Sequence, residues 1–199
     1  AARSVNTVLK QDGKLHGYST DGYGLKKALE EGVNVNVEDS KVAFLGTGGA
    51  ATACAVFLAR EGVPGLVLMN RTGEKARRLA ELVQGVAPTC EVTWSPLNEE
   101  EKIRSLLEDV DVLIQSTSLG LKEEDPFPCS LDMIPKDTAV YEMIYRETPF
   151  LAEARRRGCA VANGFGMLLH QGARSFSIWT GMPAPVEEMR KALINAAKE

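Results

Sequence analysis

Short apolar runs alternate with helix-like segments through the middle of the chain. The runs are five or six residues long, and they cover 41–46, 65–70, 90–95, 111–116, 139–144 and 159–163. The segments between them with helical character are 50–61, 73–84, 98–108 and 149–157. Strands that alternate with helices indicate βαβ units, and runs that are apolar on both faces are typical of a covered sheet. We therefore predict an α/β fold with a doubly wound, parallel (Rossmann-like) sheet.

The two ends of the chain follow a different pattern. Residues 1–24 are predicted to form two strands joined by a turn at Asp12-Gly13, and 24–33 a helix. A long helix is expected over 166–180, and because its apolar residues form no single stripe, it should contact neighbours on several sides. Residues 184–198 are predicted to form an amphipathic helix. Its apolar residues recur at three- and four-residue spacing, namely Val186, Met189, Leu193, Ile194 and Ala197.

Composition excludes several classes of function. The chain has 199 residues, 25% of them charged, with a net charge of −4, which does not favour a nucleic-acid or polybasic membrane surface. No apolar run approaches the roughly 20 residues that a transmembrane helix needs. Four cysteines and two histidines are scattered without a CxxC pair, so we predict no metal site and buried thiols in a reducing, cytoplasmic protein. The start lacks a signal-peptide pattern and an initiator Met, which we interpret as a cut or processed end.

A glycine-rich turn follows the first strand of the middle region. Gly46, Thr47, Gly48, Gly49, Ala50 and Ala51 match G-x-G-x-x-A. In such a turn the first glycine permits a tight bend, the second lets the backbone approach a pyrophosphate, and the small third residue lets helix and strand pack closely. The helix N-terminus then offers free N–H groups to an anion. The alternative is an ordinary βα turn, but the flanking strand and small-residue helix favour a dinucleotide site.

The next strand ends in Asn70, Arg71 and Thr72. An NAD site would have an acidic residue here to bond the ribose 2′-hydroxyl. Arg71 stands there instead, with Lys75 close behind, and a guanidinium can bind a 2′-phosphate through two hydrogen bonds. The alternative is a solvated charged loop, and we predict NADP rather than NAD.

A polar segment, "QSTSLG" (115–120), follows the fourth strand. Ligands of open α/β sheets bind outside the carboxyl ends of strands, so Ser116, Thr117 and Ser118 are candidates to line the cofactor site. An ordinary polar loop is the alternative, and spacing alone does not separate the two.

Taken together, these segments resemble the shikimate dehydrogenase family. The matching stretches run in family order: "SVNT" (4–7), "GYSTDGYG" (17–24), "GTGGAA" (46–51), "NRTGEKA" (70–76), "STSLG" (116–120), "YEMIY" (141–145) and "NGFGMLLHQGARSFSIWTG" (163–181). The resemblance implies NADPH-dependent reduction of 3-dehydroshikimate to shikimate in aromatic amino-acid biosynthesis. It also implies a substrate domain, an NADP domain and helices that return to the substrate domain. Residues 1–24 would then belong to the substrate domain, 25–39 to a linker helix, 40–164 to the Rossmann-like NADP domain and 165–199 to the returning helices.

The resemblance also implies roles for individual residues. Asp21 would be the aspartate of a catalytic Lys-Asp pair, and the substrate would contact Asn6, Asp21, Tyr145 and Gln171. The residues around the nicotinamide ring and its ribose would be Met143, Gly164 and Met167. Plainer interpretations remain for each: Asp21 in an Asx turn before a helix that starts near Gly24, Gln171 as a surface amide and Tyr145 as a core residue. Ser19 stands where the family usually has Asn.

The family's chains begin about 80 residues earlier, and that part carries a Ser-x-Ser motif and the catalytic lysine. We therefore expect this chain alone to bind NADP(H) with little dehydrogenase activity. A quinate/shikimate dehydrogenase, a non-catalytic NADP-binding module and the dinucleotide domain of an unrelated dehydrogenase are the alternatives. Apolar surface on residues 1–24 and the last helix leads us to expect a homodimer.

Overall fold

The computed structural model describes residues 4–122 and 124–196. The strands of these ranges are Thr7–Gln11 (β1), Lys14–Tyr18 (β2), Lys41–Leu45 (β3), Gly65–Asn70 (β4), Glu91–Pro96 (β5), Val112–Gln115 (β6), Ala139–Glu142 (β7) and Val161–Ala162 (β8). The α-helices are Asp21–Val33 (α1), Gly49–Arg60 (α2), Gly73–Val86 (α3), Glu100–Leu107 (α4), Pro149–Arg156 (α5), Phe165–Thr180 (α6) and Val186–Ala196 (α7). Short 3₁₀ helices occur at Val37–Asp39 and Leu131–Met133.

Six of these strands form one parallel sheet in the order β5-β4-β3-β6-β7-β8. The chain reverses its direction of winding between β3 and β6, which is the switch point where ligands bind in open α/β sheets. Alternate residues of β3 face opposite sides of the sheet. Val42 and Phe44 pack in one core cluster with α1, α2, α3 and α6, and Ala43 and Leu45 pack in the other with α4 and α5. The predicted doubly wound α/β fold is confirmed.

The first two strands form a separate antiparallel hairpin. Asp12 and Gly13 have φ values of 51° and 73°, as a two-residue type I′ turn requires, so the predicted turn is confirmed. The hairpin is mostly exposed, and Thr7 is its one buried residue. The indole Nε1 of Trp179 on α6 donates to the carbonyl oxygen of Val8 at 3.0 Å, which ties the hairpin to the long helix.

Helix α1 begins at Asp21, three residues before the predicted start at Gly24. The predicted start was wrong because Gly22 and Gly24, poor helix formers by themselves, serve here for close packing between helices. A Cβ on Gly22 would lie 2.2 Å from Cβ of Phe57 on α2, and a Cβ on Gly24 would lie 2.7 Å from the carbonyl oxygen of Met167 on α6. The two glycines therefore let α1 lie against both neighbouring helices.

The other elements follow the predicted positions with small shifts at their ends. The last predicted strand, 159–163, is reduced to Val161–Ala162. Helix α6 contacts α1, α7 and β1, so the predicted contacts on several sides are confirmed. Helix α7 lies against α6, but no residue of its described length is buried, and Ile194 is 39% exposed. Residues 197 and 198 of the predicted helix lie outside the described residues.

None of the described helices combines the length and apolar character needed to cross a membrane. Within residues 4–122 and 124–196, no three His, Cys, Asp or Glu side chains form a group that could hold a metal ion. The four cysteines are free thiols, and Cys54, Cys90 and Cys159 are buried.

Candidate active site

The turn after β3 has the geometry of an anion cradle. Gly46 has a φ of 99°, and a Cβ there would lie 2.9 Å from Cγ2 of Thr117 and 3.1 Å from the carbonyl carbon of Ser116. Only glycine fits this position without strain. Gly48 caps α2, and Cβ atoms added to Gly48 or Gly49 would meet nothing within 4 Å. The backbone at the start of α2 therefore borders open space, and anions bind to the N–H groups at such a helix N-terminus.

A cleft of about 460 Å³ opens at this turn, beside the carboxyl ends of β3, β4 and β6. It brings together most of the predicted cofactor residues. Its lining is Gly46, Thr47, Gly48, Asn70, Arg71, Thr72, Lys75, Leu97, Ser116, Thr117, Ser118, Leu119 and Pro128. Gly49 and Ala50 are exposed in the first turn of α2, beside this lining, and Ala51 is buried beneath them as the small residue of the motif.

One wall of the cleft is cationic. Arg71 follows β4 directly, and Lys75 lies in the first turn of α3, and both side chains are exposed. In the part of the chain that the structure describes, neither cation forms an ion pair. The neighbouring Glu74 accepts hydrogen bonds from Arg77 and Arg78, which lower its pKa to about 2. The charge of Glu74 is thus compensated by those two arginines, and Arg71 and Lys75 are left to face an anion.

Thr47 adds a polar group at the floor of the cleft. Its hydroxyl oxygen is buried and has no hydrogen-bond partner among the described residues. A buried hydroxyl without a partner is costly, and a ligand atom in the cleft could satisfy it. The open glycines and this hydroxyl therefore fit the pyrophosphate of a dinucleotide.

The opposite wall is the turn after β6. The hydroxyl of Ser116 donates to the carbonyl oxygens of Leu45 (2.7 Å) and Gly46 (3.1 Å), so it fastens this wall to the cradle. Sequence reasoning missed Leu97, Leu119 and Pro128 as lining residues, because nothing in their local sequence marks them. It also missed two buried polar residues behind the wall, Gln115 and Glu142. A polar residue at the end of an otherwise apolar strand is the signal that could have found them.

Three of the four substrate residues that the family resemblance implies form a second cluster, at the start of α1. Asn6 Nδ2 donates to Asp21 Oδ1 at 2.6 Å and lies 3.5 Å from Oε1 of Gln171 on α6. Three elements distant in the chain thus place two amides and a carboxylate together. We define these three residues as the substrate-side cluster. They would present donors and acceptors to a polyhydroxylated ligand.

A row of hydroxyl groups holds the substrate-side cluster from below. Asn6 Oδ1 accepts from the backbone N–H of Thr20 at 3.0 Å and from the hydroxyl of Thr7 at 3.1 Å. The hydroxyl oxygens of Thr7 and Ser175 lie 2.6 Å apart, and Ser175 donates to the carbonyl oxygen of Gln171 at 2.9 Å. Because Thr7, Thr20 and Ser175 are buried, these bonds fix the orientation of the Asn6 amide.

The carboxyl group of Asp21 lies in the first turn of α1. Burial raises its pKa above the usual 3.8, and the hydrogen bond from Asn6 opposes that rise. No lysine or arginine of the described residues forms an ion pair with it. The plainer interpretation of Asp21 as part of an Asx turn before the helix is wrong, because the residue is itself helical.

The remaining predicted residues lie at the end of β7 and the start of α6. A Cβ on Gly164 would lie 2.1 Å from the carbonyl oxygen of Met143, so these two backbones are in close contact. Met167 is 7% exposed and packs into the core beside α1. Tyr145 follows β7, is 67% exposed and belongs to none of the hydrogen bonds of the substrate-side cluster. The roles of these four residues toward cofactor or substrate stay predictions.

The two histidines of the chain also have defined places. His170 is buried on α6 with Nε2 3.0 Å from Glu31, and His16 is exposed on β2. The hydroxyl of Ser19, which replaces the family's usual Asn, is buried without a hydrogen-bond partner among the described residues.

Comparison with known proteins agrees with this geometry. A family model described as Shikimate / quinate 5-dehydrogenase matches residues 27–121, and one described as Shikimate 5'-dehydrogenase C-terminal domain matches residues 164–194. The shikimate dehydrogenase (NADP(+)) of Moorella thermoacetica is 41% identical over 97% of this chain and 65% of its own length.

Two solved structures are similar over comparable lengths. The shikimate 5-dehydrogenase of Listeria monocytogenes, crystallised with shikimate and NAD, is 31% identical with a TM-score of 0.89, over 96% of this chain and 68% of that one. A shikimate dehydrogenase in complex with NADP+ is 35% identical with a TM-score of 0.87, over 98% of this chain and 67% of that one. The chain thus spans about two thirds of the length of these relatives. It belongs to the shikimate dehydrogenase family of oxidoreductases.

Proposed function

We propose that this chain provides the NADP(H) site and part of the substrate site for the reduction of 3-dehydroshikimate to shikimate. The observation that carries the proposal is the convergence of Asn6, Asp21 and Gln171 at the start of α1. A dinucleotide-binding domain of an unrelated dehydrogenase would have no reason to bring these three residues together. The biosynthetic role of the family would place the protein in the cytoplasm.

The cofactor we propose is NADP(H). The N-terminus of α2, at Gly48 and Gly49, would hold the pyrophosphate, with the Thr47 hydroxyl as an additional partner. Arg71 would bind the 2′-phosphate, assisted by Lys75. NADPH, when bound, supplies the hydride for reduction of a ketone. The protein's share is to fix the cofactor along the carboxyl edge of the sheet.

The substrate-side cluster would bind the ring hydroxyls of shikimate. The amides of Asn6 and Gln171 each carry donors and an acceptor, so they can donate hydrogen bonds to substrate hydroxyl groups or accept hydrogen bonds from them. The buried hydroxyls of Thr7, Thr20 and Ser175 hold the Asn6 amide ready, which lowers the cost of ordering it on binding. Tyr145 would approach the substrate from the loop after β7.

Ketone reduction also needs a proton for the developing alkoxide. Asp21 can orient a proton donor, but an ionised carboxylate beside an alkoxide is repulsive unless a cation lies between them. The described residues place no lysine or arginine in an ion pair with Asp21. We therefore propose that these 199 residues on their own bind NADP(H) and turn over slowly.

A steady-state assay of the 199-residue chain with 3-dehydroshikimate and NADPH tests this proposal. We expect saturable NADPH binding with a turnover well below the roughly 1–10³ s⁻¹ of ordinary enzymes. Asp21→Asn should then change the residual rate little, because among the described residues no lysine or arginine is paired with Asp21 as a proton donor. A turnover in the ordinary range would refute slow catalysis while supporting the reaction, and absence of NADPH binding would refute the function itself.

A quinate/shikimate dehydrogenase is the nearest alternative, and one matching family model covers both substrates. Those enzymes often use NAD, whereas the strand end after β4 carries Arg71 and no acidic residue. Parallel assays with shikimate and quinate, each with NAD+ and NADP+, distinguish the two. A non-catalytic NADP-binding module would bind the cofactor and neither acid.

Self-association through the hairpin face is a further part of the proposal. The exposed apolar residues there are Val5, Val8, Leu15, Trp179 and Met182, each at least half exposed. Such a patch favours association with a second copy of the chain. Sedimentation should show a dimer that Leu15→Lys weakens, and a monomer at high concentration would rule the dimer out.

A further inference from the structure

Two buried polar side chains lie side by side where β6 and β7 end, at the carboxyl edge of the sheet. Gln115 ends β6 and Glu142 ends β7, and the two residues are partners in the parallel register. Both are 0% exposed. Burial of an amide and a carboxyl group is costly unless each polar atom has a partner, so their bonds indicate what they are for.

Gln115 closes the turn that forms one wall of the cofactor cleft. Its Oε1 accepts from the backbone N–H of Thr117 at 2.6 Å, and its Nε2 donates to the carbonyl oxygen of Leu119 at 2.7 Å. Thr117 and Leu119 both line the cleft, and the residue between them does too. The Gln115 side chain therefore forms hydrogen bonds with the first and the last residue of 117–119, a segment that belongs to no strand or helix.

Glu142 holds Gln115 in place. Glu142 Oε1 accepts from Gln115 Nε2 at 3.3 Å, and Glu142 Oε2 accepts from the hydroxyl of Thr148 at 2.6 Å. The Thr148 oxygen in turn accepts from the backbone N–H of Leu151 and so caps α5. Burial raises the pKa of Glu142, and hydrogen bonds from Thr148 and Gln115 oppose that rise. A bonded chain thus runs from the start of α5 to the wall of the cleft.

The wall is also held from outside. Gly120 has a φ of 101°, and a Cβ there would lie 3.2 Å from Cγ2 of Thr148 and 3.5 Å from Oε1 of Glu142. The guanidinium of Arg146 donates to the carbonyl oxygens of Gly120 (2.8 Å) and Leu121 (2.7 Å). Arg146 therefore bonds the turn from the solvent side, and the absence of a side chain at Gly120 leaves room for Thr148 and Glu142 on the buried side.

We infer that Gln115 and Glu142 are positioning residues for the cofactor, with Glu142 acting through Gln115 on the wall formed by 117–119. This inference rests on the proposed NADP(H) site. Without the Gln115 amide, the N–H of Thr117 and the carbonyl of Leu119 lose their partners, and the turn no longer has one preferred conformation. The affinity for cofactor then falls with the fraction of molecules whose wall is correctly placed.

The position of the wall predicts which half of the cofactor is affected. Arg71 lies after β4, the cradle after β3 and the wall after β6, so they follow one another along the sheet edge. With the 2′-phosphate at Arg71, the nicotinamide half extends over the wall. Adenosine 2′,5′-bisphosphate carries only the other half and does not reach it.

The test measures binding of NADP+ and of adenosine 2′,5′-bisphosphate to the chain by titration calorimetry. The variants are Gln115→Leu, Glu142→Gln and the two combined. Gln84→Leu is the matched control, since the Gln84 amide also donates to a backbone carbonyl, that of Pro88, but on the far end of α3. Thermal unfolding of each variant is measured in parallel.

We expect Gln115→Leu to weaken NADP+ about tenfold and to leave the bisphosphate unchanged. Glu142→Gln should weaken NADP+ less, and the double variant should lose no more than Gln115→Leu alone, because Glu142 acts through Gln115. Equal weakening of both ligands, or none, would overturn the inference, as would additive losses in the double variant. If the unchanged chain binds neither ligand, the proposed function itself fails.

Discussion

Replacement of Gly46 by alanine tests the geometry of the cradle. The residue has a φ of 99°, and the new Cβ would lie 2.9 Å from Cγ2 of Thr117. The backbone conformation costs an alanine about 1–3 kcal/mol, and overpacking costs about 1–3 kcal/mol more. At roughly 2–4 °C per kcal/mol for a chain of this size, Gly46→Ala should lower Tm by about 4–24 °C.

Alanine substitutions at two other glycines separate the backbone strain from the steric effects of the new methyl group. Gly62 has a φ of 93°, but a Cβ there would meet nothing within 4 Å, so Gly62→Ala carries only the backbone strain. Gly48 has a φ of −72° and open space, so alanine there meets no strain, and its gain of about 0.4–1 kcal/mol from a less flexible unfolded chain is offset by its poorer fit at the N-cap of α2. Its methyl group would nevertheless stand in the cleft where the pyrophosphate is expected.

The assay pairs thermal unfolding with NADP+ binding for the three variants. Gly46→Ala should melt lower than Gly62→Ala and bind NADP+ at least tenfold more weakly. Gly62→Ala should lose stability and keep its affinity, and Gly48→Ala should lose affinity and keep its stability. If Gly46→Ala melted with Gly62→Ala and bound NADP+ like the unchanged chain, the close approach of the cradle to Thr117 would be refuted.

The remaining predictions concern two carboxyl groups. Burial raises the pKa of Asp21, so the ionised carboxylate destabilises the fold. Asp21→Asn should therefore raise Tm at pH 7. The gain in Tm should shrink as pH falls, because Asp21 of the unchanged chain then becomes protonated. A pH series of melting curves checks this, and a gain that grew toward acid pH would contradict it. Burial tends to raise the pKa of Glu31, but the nearby imidazole of His170 and the hydrogen bond from Arg190 outweigh it and lower the pKa. Ionised Glu31 therefore stabilises the folded state above its ordinary pKa of 4.5, and this stabilisation is lost as pH falls through the lowered pKa. Glu31→Gln should lower Tm at pH 7 more than at pH 3. Glu187→Gln, the control on α7, should change Tm little.

The sheet was predictable because its signal is local. Strands β3, β4, β6 and β7 are short runs of mainly apolar residues, and burial on both faces requires that pattern. The cradle was predictable for the same reason, since Gly46, Thr47 and Gly48 follow one another between a strand and a helix. The prediction for Arg71 needed one further step, because it depends on locating the end of the strand that follows the glycine-rich turn, where a ribose-binding residue is expected.

Long-range contacts explain what local reasoning missed. The start of α1 was misplaced because the need for Gly22 and Gly24 comes from Phe57 and Met167 on other helices. The pairing of Gln115 with Glu142 depends on the register of β6 and β7, which no local pattern reveals.

The substrate-side cluster shows the same limit. Asn6 and Gln171 are 165 positions apart, and only the family resemblance connected them before the structure did. Individually, Asn6, Asp21 and Gln171 are ordinary polar residues with adequate structural explanations. Their common location is what gives the cluster a functional meaning.

Calorimetric titration of the chain with NADP+ and with NAD+ tests the central claim most directly. The account predicts that NADP+ binds at least tenfold more tightly, because a charge-assisted, bidentate contact from Arg71 to the 2′-phosphate contributes about 1.5–3 kcal/mol. Arg71→Asp should reverse the preference toward NAD+. Equal affinities for the two cofactors, or an unchanged ratio in Arg71→Asp, would contradict the account.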